Sequence, residues 1–147
     1  MVFLPIYQDQ DLNEEYATDP NCADILQIYL PFYGKVGFNP PWIGYFVSVD
    51  SKIIGGGGFK GSPKNNRIEI AYGVFDDYQK GGYGTEICRK LVLLTLETDP
   101  ELTITARTLP DNTASINVLK KNGFELKGNV WDDDDGDVLE WIFKKLK

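Results

Sequence analysis

A glycine-rich turn is the feature of this sequence whose residue types and spacing best suit chemistry. It reads Gln79-Lys80-Gly81-Gly82-Tyr83-Gly84, and Thr85 follows in the first turn of a predicted helix. The first amides of a helix lack backbone acceptors and lie at the positive end of its dipole, so they form an anion site. Glycines let the backbone approach a diphosphate, and Lys80 adds positive charge. The turn suits a CoA or nucleotide pyrophosphate, with a purely structural tight turn as the alternative.

Two common nucleotide-binding motifs do not fit the sequence. The dinucleotide fingerprint needs G-x-G-x-x-G, but Gly82 and Gly84 are followed by Ile87 at the last position. Gly56 and Gly61 have the spacing of a P-loop, yet Ser62 stands where the phosphate-binding lysine is required. Neither a Rossmann site nor a P-loop is therefore predicted.

The composition restricts the chemistry further. The chain contains no histidine, which removes imidazole bases, Ser/His/Asp and Cys/His triads and the commonest zinc ligand. We predict no metal site, and catalysis must use carboxylates, tyrosines or water. The net charge of -7 argues against a nucleic-acid partner and favours a cationic one, unless the acidity serves only solubility.

Length and cysteine content predict one domain in a reducing compartment. The chain has 147 residues, of which 42% are hydrophobic, so residues 1–147 can bury one core. No apolar run of about 18 residues exists for a membrane span, and no signal-peptide pattern opens the chain. The two cysteines, Cys22 and Cys88, do not make a disulfide framework. We expect a cytoplasmic protein with no membrane partner.

Helix-like and strand-like patterns alternate along the chain. Residues 21–36 predict one or two short helices broken by Pro31 and Gly34. The later elements are a hairpin (42–49 and 52–60), a strand (67–74), a helix (82–98), a strand (102–107), a helix opened by residues 110–112 and closed by Gly123, and a second hairpin (124–131 and 138–144). This order predicts a mixed sheet flanked by helices. Glycines 55–58 are interpreted as a bulge or a close backbone contact, with no ligand.

Two motifs in register carry a resemblance to a known family. Gln79-x-x-Gly82-x-Gly84 resembles the Q/R-x-x-G-x-G/A motif of the GNAT superfamily of acyl-CoA N-acyltransferases. Asn112-x-x-Ser115, followed by an amphipathic turn and Gly-Phe-Glu at residues 123–125, is similar to a second segment of that family. The resemblance covers roughly residues 42–145, matches poorly in the first forty residues, and is closest to the branch that acetylates ribosomal-protein N-termini. It implies a single α/β (α+β) domain with a mostly antiparallel sheet of about six or seven strands.

The resemblance also implies a co-substrate, acetyl-CoA, and where it lies. Residues 79–84 and the Thr85 amide would hold its pyrophosphate, and two neighbouring strands would splay to admit the pantetheine arm. Val74 and Phe75 would then supply backbone amides to that arm. Asn112 and Ser115 would lie beside the pantetheine and the sulfur, although both residues could instead satisfy amides of the helix they begin.

Amine acetylation needs a group that removes a proton from the ammonium. Glu69 is the candidate, because it shares a strand face with Ala71 and Gly73, which leave room for a substrate. The alternative is a glutamate paired with Arg67 or Arg107. The tyrosine that protonates the departing thiolate in many relatives is replaced by Leu119, which leaves water or Ser115 for that role.

Acceptor recognition is predicted from aromatics and aspartates. Aromatic residues crowd positions 29–45, and residues 132–135 are four aspartates in a hairpin tip. If the hairpin tip overhangs the acceptor cleft, the aromatic rings and the aspartates together suit a cationic amine. The alternative is that the aspartates only form a solvated turn. We therefore expect acetyl transfer to a primary amine, either a peptide N-terminus or a small cationic metabolite such as a polyamine or aminoglycoside. The alternatives are a non-catalytic CoA-sensing module and an acidic interaction module, and the sequence leaves open whether the chain forms a homodimer.

Overall fold

Seven strands form one mixed sheet in the computed structural model, which describes residues 1–145. The strands are β1 (Val2–Pro5), β2 (Gly44–Val49), β3 (Lys52–Phe59), β4 (Arg67–Val74), β5 (Thr103–Thr108), β6 (Phe124–Asp132) and β7 (Gly136–Phe143), in the spatial order β1-β2-β3-β4-β5-β7-β6. The helices are α1 (Pro20–Val36), α2 (Tyr83–Thr98) and α3 (Thr113–Lys121), and short 3₁₀ helices span Gln10–Tyr16 and Asp76–Gly81. The predicted α/β fold with a mostly antiparallel sheet is confirmed.

The sheet divides where β4 and β5 meet. These two strands are parallel and pair only from Arg67↔Thr103 to Ile70↔Ala106. On its other edge, β4 stays paired with β3 as far as Val74. Beyond Ile70, β4 therefore has one paired edge and one open edge, which is the splay that the resemblance implied.

Close packing surrounds the four glycines of β3, against backbone at Gly55, Gly56 and Gly58 and against the Ile87 side chain at Gly57. A Cβ atom on Gly58 would lie 2.5 Å from the Ile43 carbonyl oxygen, and one on Gly55 would collide with the Gly73 carbonyl. The register also shifts between Val47 and Ser48, as it does at a bulge. The interpretation of these glycines as packing positions is confirmed.

The first helix is longer than predicted. Instead of one or two short helices, α1 runs unbroken through Pro31 to Val36. Pro31 lacks the amide that would bond one turn back, but tertiary contacts outweigh that loss. The buried Tyr33 hydroxyl donates to Ile6 O at 2.8 Å and accepts from Gly44 N at 2.9 Å, so the helix is fixed to the sheet.

The core lies between the sheet and its helices. Its largest fully buried side chains include Phe46, Phe59, Ile70, Leu91 and Ile104. Burying each of them contributes about 1.5–3 kcal/mol relative to exposure. This core holds β4 and the start of α2 in place around the open strand edge. No helix among the described residues is long and apolar enough to cross a membrane.

Candidate active site

A cavity of about 450 Å³ lies beside the last residues of β4. Its walls come from α1, β3, β4 and the tip of the β6–β7 hairpin, and its lining residues are Ile25, Ile28, Tyr29, Phe32, Gly56, Gly57, Phe59, Lys60, Ala71, Tyr72, Gly73, Val74, Phe75 and Asp134. Most of these residues are apolar or aromatic, whereas Lys60 and Asp134 bring charge. The cavity adjoins the part of β4 that β5 leaves unpaired.

The open edge of β4 presents the main-chain groups of Tyr72 and Val74. Successive residues of a strand direct their amides to opposite edges. Phe75 N donates to Ile54 O at 2.9 Å, so Phe75 belongs to the β3 ladder and its amide is not available. Our prediction therefore needs a correction at Phe75, because the alternation places the amides of Tyr72 and Val74 at the open edge. Gln79 Nε2 donates to Val74 O at 3.2 Å and joins this edge to the glycine segment.

The glycine segment is more regular than an open loop. Gln79, Lys80 and Gly81 form the end of a 3₁₀ helix, and Gly82 has a positive φ of 74° before α2 begins at Tyr83. The first bond from α2 to its N-cap runs from Glu86 N to Gly82 O at 3.3 Å. The amides of Tyr83, Gly84 and Thr85 precede that bond, and Gly82 has no side chain to cap them. These amides belong to the turn for which the sequence predicts an anion site.

The other glycines of the segment have packing roles. Gly84 faces α3, and a Cβ there would lie 3.4 Å from Val118 Cγ2. A Cβ on Gly81 would lie 2.7 Å from the Tyr83 ring. Gly81, Gly82 and Lys80 are exposed, which leaves this side of the segment accessible to a ligand.

Asn112 acts as the N-cap of α3. Its Oδ1 accepts a hydrogen bond from Ser115 N at 3.1 Å. This is the capping role that the sequence offered as the alternative to cofactor contact, and it occupies one lone pair of the amide oxygen. The Ser115 side chain is half-buried and faces the neighbourhood of Tyr72.

Tyr72 is a candidate functional residue that the sequence analysis treated only as part of a strand face. Its hydroxyl oxygen is buried and has no hydrogen-bond partner among the described residues. Burial raises the pKa of Tyr72, and the nearby Cys88 raises it further. The Ser115 side chain lowers this pKa, although its contact with the hydroxyl does not meet the geometry of a hydrogen bond. A buried hydroxyl that is left without any partner costs about 1–3 kcal/mol, so such groups in native proteins are usually bonded to protein or to ordered water.

Glu69 lies between two cations. Lys60 Nζ is 3.1 Å from Glu69 Oε2, and Arg107 Nε is 3.7 Å from Oε1. Arg67 instead pairs with Glu140 at 3.0 Å, so of the two alternatives for Glu69 only Arg107 is its partner. The Lys60 contact lacks hydrogen-bond geometry, and Oε2 is buried without a donor. The two ion pairs hold the carboxylate in position, with Oε2 facing the Lys60 ammonium and Oε1 facing Arg107.

The aspartate run reaches the cavity through a buried anchor. Arg107 Nη1 donates to Asp132 Oδ2 at 3.0 Å, and Asp132 Oδ1 accepts from Asp134 N at 2.9 Å and Asp135 N at 3.2 Å. Burial alone would raise the pKa of Asp132, but these hydrogen bonds outweigh burial and hold the pKa below its usual range. Asp134 is exposed and lines the cavity, so the hairpin tip overhangs the predicted acceptor cleft. No metal-binding cluster occurs within residues 1–145.

Comparison with known proteins identifies the family. The model of the acetyltransferase (GNAT) domain matches residues 2–125. The chain therefore belongs to the GNAT family of acetyltransferases, which are acetyl-CoA-dependent N-acetyltransferases. The match also includes the first forty residues, where the sequence motifs alone show little resemblance to the family.

Solved structures share the fold at low identity. An aminoglycoside acetyltransferase AAC(6')-Ib in complex with coenzyme A is 23% identical, with a TM-score of 0.70 over 98% of this chain and 94% of that chain. The ribosomal alpha-N-protein acetyltransferase RimL in complex with coenzyme A is 15% identical, with a TM-score of 0.68 over 95% and 91%. A spermidine N-acetyltransferase chimera of Vibrio cholerae SpeG and hSSAT is 15% identical, with a TM-score of 0.65 over 97% and 95%. No curated protein matches the chain significantly.

Proposed function

We propose that the chain transfers the acetyl group of acetyl-CoA to a primary amine, either a peptide N-terminus or a small cationic amine. The observation that carries this proposal is the open edge of β4, which runs between the free amides of α2 and the cavity. One edge thus connects an anion site to a space for a second substrate. A non-catalytic acetyl-CoA sensor would also have the anion site, but it would not need a space for a second substrate.

The pyrophosphate is proposed to bind the amides of Tyr83, Gly84 and Thr85, which are not capped by a side chain. Lys80 is exposed next to them and adds positive charge. The pantetheine arm would follow the open edge, where the main chains of Tyr72 and Val74 offer strand-like hydrogen bonds. Ser115 and the Asn112 cap lie at the start of α3, which packs against α2.

The acceptor is proposed to enter the cavity with its amine towards β4. Ile25, Tyr29 and Phe32 of α1 form one wall of the cavity, which suits the hydrocarbon part of an amine or a cation above an aromatic ring. Asp134 suits a second positive charge on the same acceptor. The net charge of -7 would attract cations generally. The structural neighbours named above include aminoglycoside, ribosomal-protein and spermidine acetyltransferases, so the shared fold alone does not select among these amines.

Glu69 is proposed as the general base. It lies on the face of β4 that also carries Ala71 and Gly73, both of which line the cavity. Its two ion pairs fix the carboxylate, and its buried Oε2 has no hydrogen-bond donor. The base would take the ammonium proton before the amine attacks the thioester.

The compartment is proposed to be the cytoplasm. Cys22 and Cys88 are both free and buried, as expected for a chain kept in a reducing environment.

The proposed function is tested by release of free CoA thiol from acetyl-CoA in the presence of peptides, polyamines, aminoglycosides and amino acids. Amine-dependent release with one acceptor class is expected. In parallel, thermal unfolding with and without acetyl-CoA measures binding independently of turnover. Stabilisation without release for any amine would support the sensor, and neither stabilisation nor release would support the acidic interaction module.

A further inference from the structure

Lys60 brings a primary amine of the chain into the cavity that is proposed to receive the acceptor amine. Its side chain lines this cavity and is 40% exposed. The Lys60 amide donates to Glu69 O at 2.9 Å, so the two residues are cross-strand neighbours whose side chains share one face of the sheet. The next pair on that face is Gly58 and Ala71, which leaves the floor of the cavity beside them without large side chains. An acceptor that lies on this floor would meet both Lys60 and Glu69.

The Lys60 ammonium stands at the Glu69 oxygen that a proton would have to reach. Lys60 Nζ lies 3.1 Å from Glu69 Oε2, and this oxygen is buried without a hydrogen bond. A general base must lie about 2.6–3.2 Å from the group whose proton it takes, or reach it through one water. An acceptor ammonium at Oε2 would therefore need the place that the Lys60 ammonium holds.

The other Glu69 oxygen is less accessible to an acceptor. Oε1 faces Arg107 Nε at 3.7 Å. Arg107 also donates a hydrogen bond to Asp132, and it is not among the residues that line the cavity. Of the two cations beside Glu69, Lys60 is therefore the one that an acceptor in the cavity can displace.

The charges around Glu69 are balanced before an acceptor binds. Lys60 and Arg107 carry two positive charges, and Glu69 and Asp132 carry two negative ones. A further ammonium would leave an excess positive charge beside largely apolar walls, where an uncompensated charge is unfavourable. Withdrawal of Lys60 from Glu69 restores the balance.

Lys60 is suited to leave this contact. Its ammonium is a hydrated point charge on a flexible four-carbon stem, and the pair with Glu69 lacks hydrogen-bond geometry. Partly exposed ion pairs of this kind are weak. Burial raises the pKa of Asp132, whereas its hydrogen bonds and the Lys60 charge lower it. Lys60 is therefore near the base of the hairpin tip, where carboxylates can hold the displaced ammonium.

We propose that Lys60 is an internal competitor of the acceptor: its ammonium holds the place of the acceptor ammonium at Glu69, and an amine binds by displacing it. This inference rests on the proposed acetyl transfer with Glu69 as the base. An acceptor ammonium can replace Lys60 because it brings the same charge to the carboxylate. Lys60 thus lowers the affinity for a cationic acceptor without taking part in the transfer itself.

The first test is binding, which does not depend on turnover. Isothermal titration calorimetry with 1,4-diaminobutane, in the presence of CoA, compares the wild type with Lys60→Met, which removes the ammonium but keeps a flexible side chain. We expect Lys60→Met to bind the diamine about two- to fivefold more tightly. The matched control is Lys64→Met, because Lys64 is exposed on the same β3–β4 connection and does not line the cavity, and it should keep the wild-type affinity. Equal gains in both variants, equal affinities of Lys60→Met and wild type, or no binding to either would overturn the proposal.

A double-mutant comparison shows whether the competition is for Glu69. In a Glu69→Gln background the carboxylate charge is absent, so Lys60→Met is expected to give no further gain in affinity for the diamine. A gain of the same size in that background would place the effect of Lys60 away from Glu69 and contradict the assignment.

The second test is turnover with the acceptor found in the amine panel. Lys60→Met is expected to lower the KM for the acceptor about two- to fivefold, while kcat and the KM for acetyl-CoA stay within about twofold of wild type. Lys60→Arg keeps the charge and can hold a carboxylate through two N–H groups, so it is expected to raise the KM for the acceptor.

A lysine that only positions Glu69 would give the opposite pattern. Lys60→Met would then lose kcat, and Lys60→Arg would restore it, and this result would overturn the proposal. Wild-type protein that releases no thiol with any amine would instead refute the proposed function, and the calorimetric comparison would still decide whether Lys60 competes with an amine.

Discussion

Arg107 Nη1 donates a hydrogen bond to Asp132 Oδ2 at 3.0 Å, and this contact joins β5 to the base of the β6–β7 hairpin tip. The same guanidinium approaches Glu69, with Nε 3.7 Å from Oε1. Asp132 in turn holds the amides of Asp134 and Asp135. One arginine therefore connects the proposed base to the turn that carries Asp134 over the cavity.

Asp132→Asn is expected to lower the free energy of unfolding by about 1–3 kcal/mol, because a neutral amide leaves the Arg107 charge poorly compensated. The effect stays below the full cost for a buried pair, since the Arg107 side chain is 29% exposed. Urea unfolding measures it. Asp133→Asn removes the same charge from an exposed neighbour and is expected to change the value by at most about 0.5 kcal/mol. Equal effects of the two variants would show that the anchor contributes nothing.

The Asp132 contribution should depend on pH with a definite sign. Its pKa is lower in the folded protein than usual, so the unfolded chain binds the proton more readily. The contribution is complete above the unfolded pKa of about 3.9 and is lost as the pH falls through the lower folded pKa. Unfolding free energies of wild type and Asp132→Asn should therefore converge below about pH 4. A difference that grew on acidification would contradict the assignment.

Gly58→Ala is expected to destabilise the protein by about 1–3 kcal/mol or more, because the new methyl group meets backbone that cannot move aside. Its Cβ would lie 2.5 Å from Ile43 O and 2.7 Å from Gly44 Cα. The matched control is Gly73→Ala on the neighbouring strand, where nothing lies within 4 Å of the added atom. Thermal unfolding compares the two variants. A Gly58→Ala protein as stable as Gly73→Ala would refute the packing argument.

Asp134→Asn tests recognition of the acceptor. The carboxylate lines the cavity and is exposed, so its loss should raise the KM for a polycationic acceptor about three- to tenfold with little change in kcat. Asp133→Asn is the control for net charge, because Asp133 is exposed but does not line the cavity. The comparison is made by thiol release at low salt. Equal KM increases in both variants would assign the effect to general attraction rather than to the cavity.

Local patterns made much of the fold predictable. The alternation of Ile68 and Ile70 with Glu69 gave β4, and Asn112 and Gly123 marked the ends of α3, because caps and strand periodicity depend on neighbouring residues. The continuity of α1 through Pro31 was not predictable, since it depends on Tyr33 bonding to residues far away in the chain.

The site was predictable to the extent that it follows from local sequence. The free amides after Gly82 follow from a helix that starts at glycines. The loss of the Phe75 amide to Ile54 depends on the phase of the β3–β4 ladder, which one strand alone does not reveal. Strand β1 was missed for a similar reason, because its four residues gain their structure from pairing with β2. Tyr72 was passed over because only the assembled sheet shows that its hydroxyl lacks a partner.

Amine-dependent thiol release by Glu69→Gln shows whether this site acetylates an amine with Glu69 as the base. The control is Glu125→Gln, an exposed residue that pairs only with Lys144 among the described ion pairs. We expect a kcat about 100-fold below wild type for Glu69→Gln, unchanged stabilisation by acetyl-CoA, and wild-type activity for Glu125→Gln. A Glu69→Gln enzyme that turns over at the wild-type rate would contradict it.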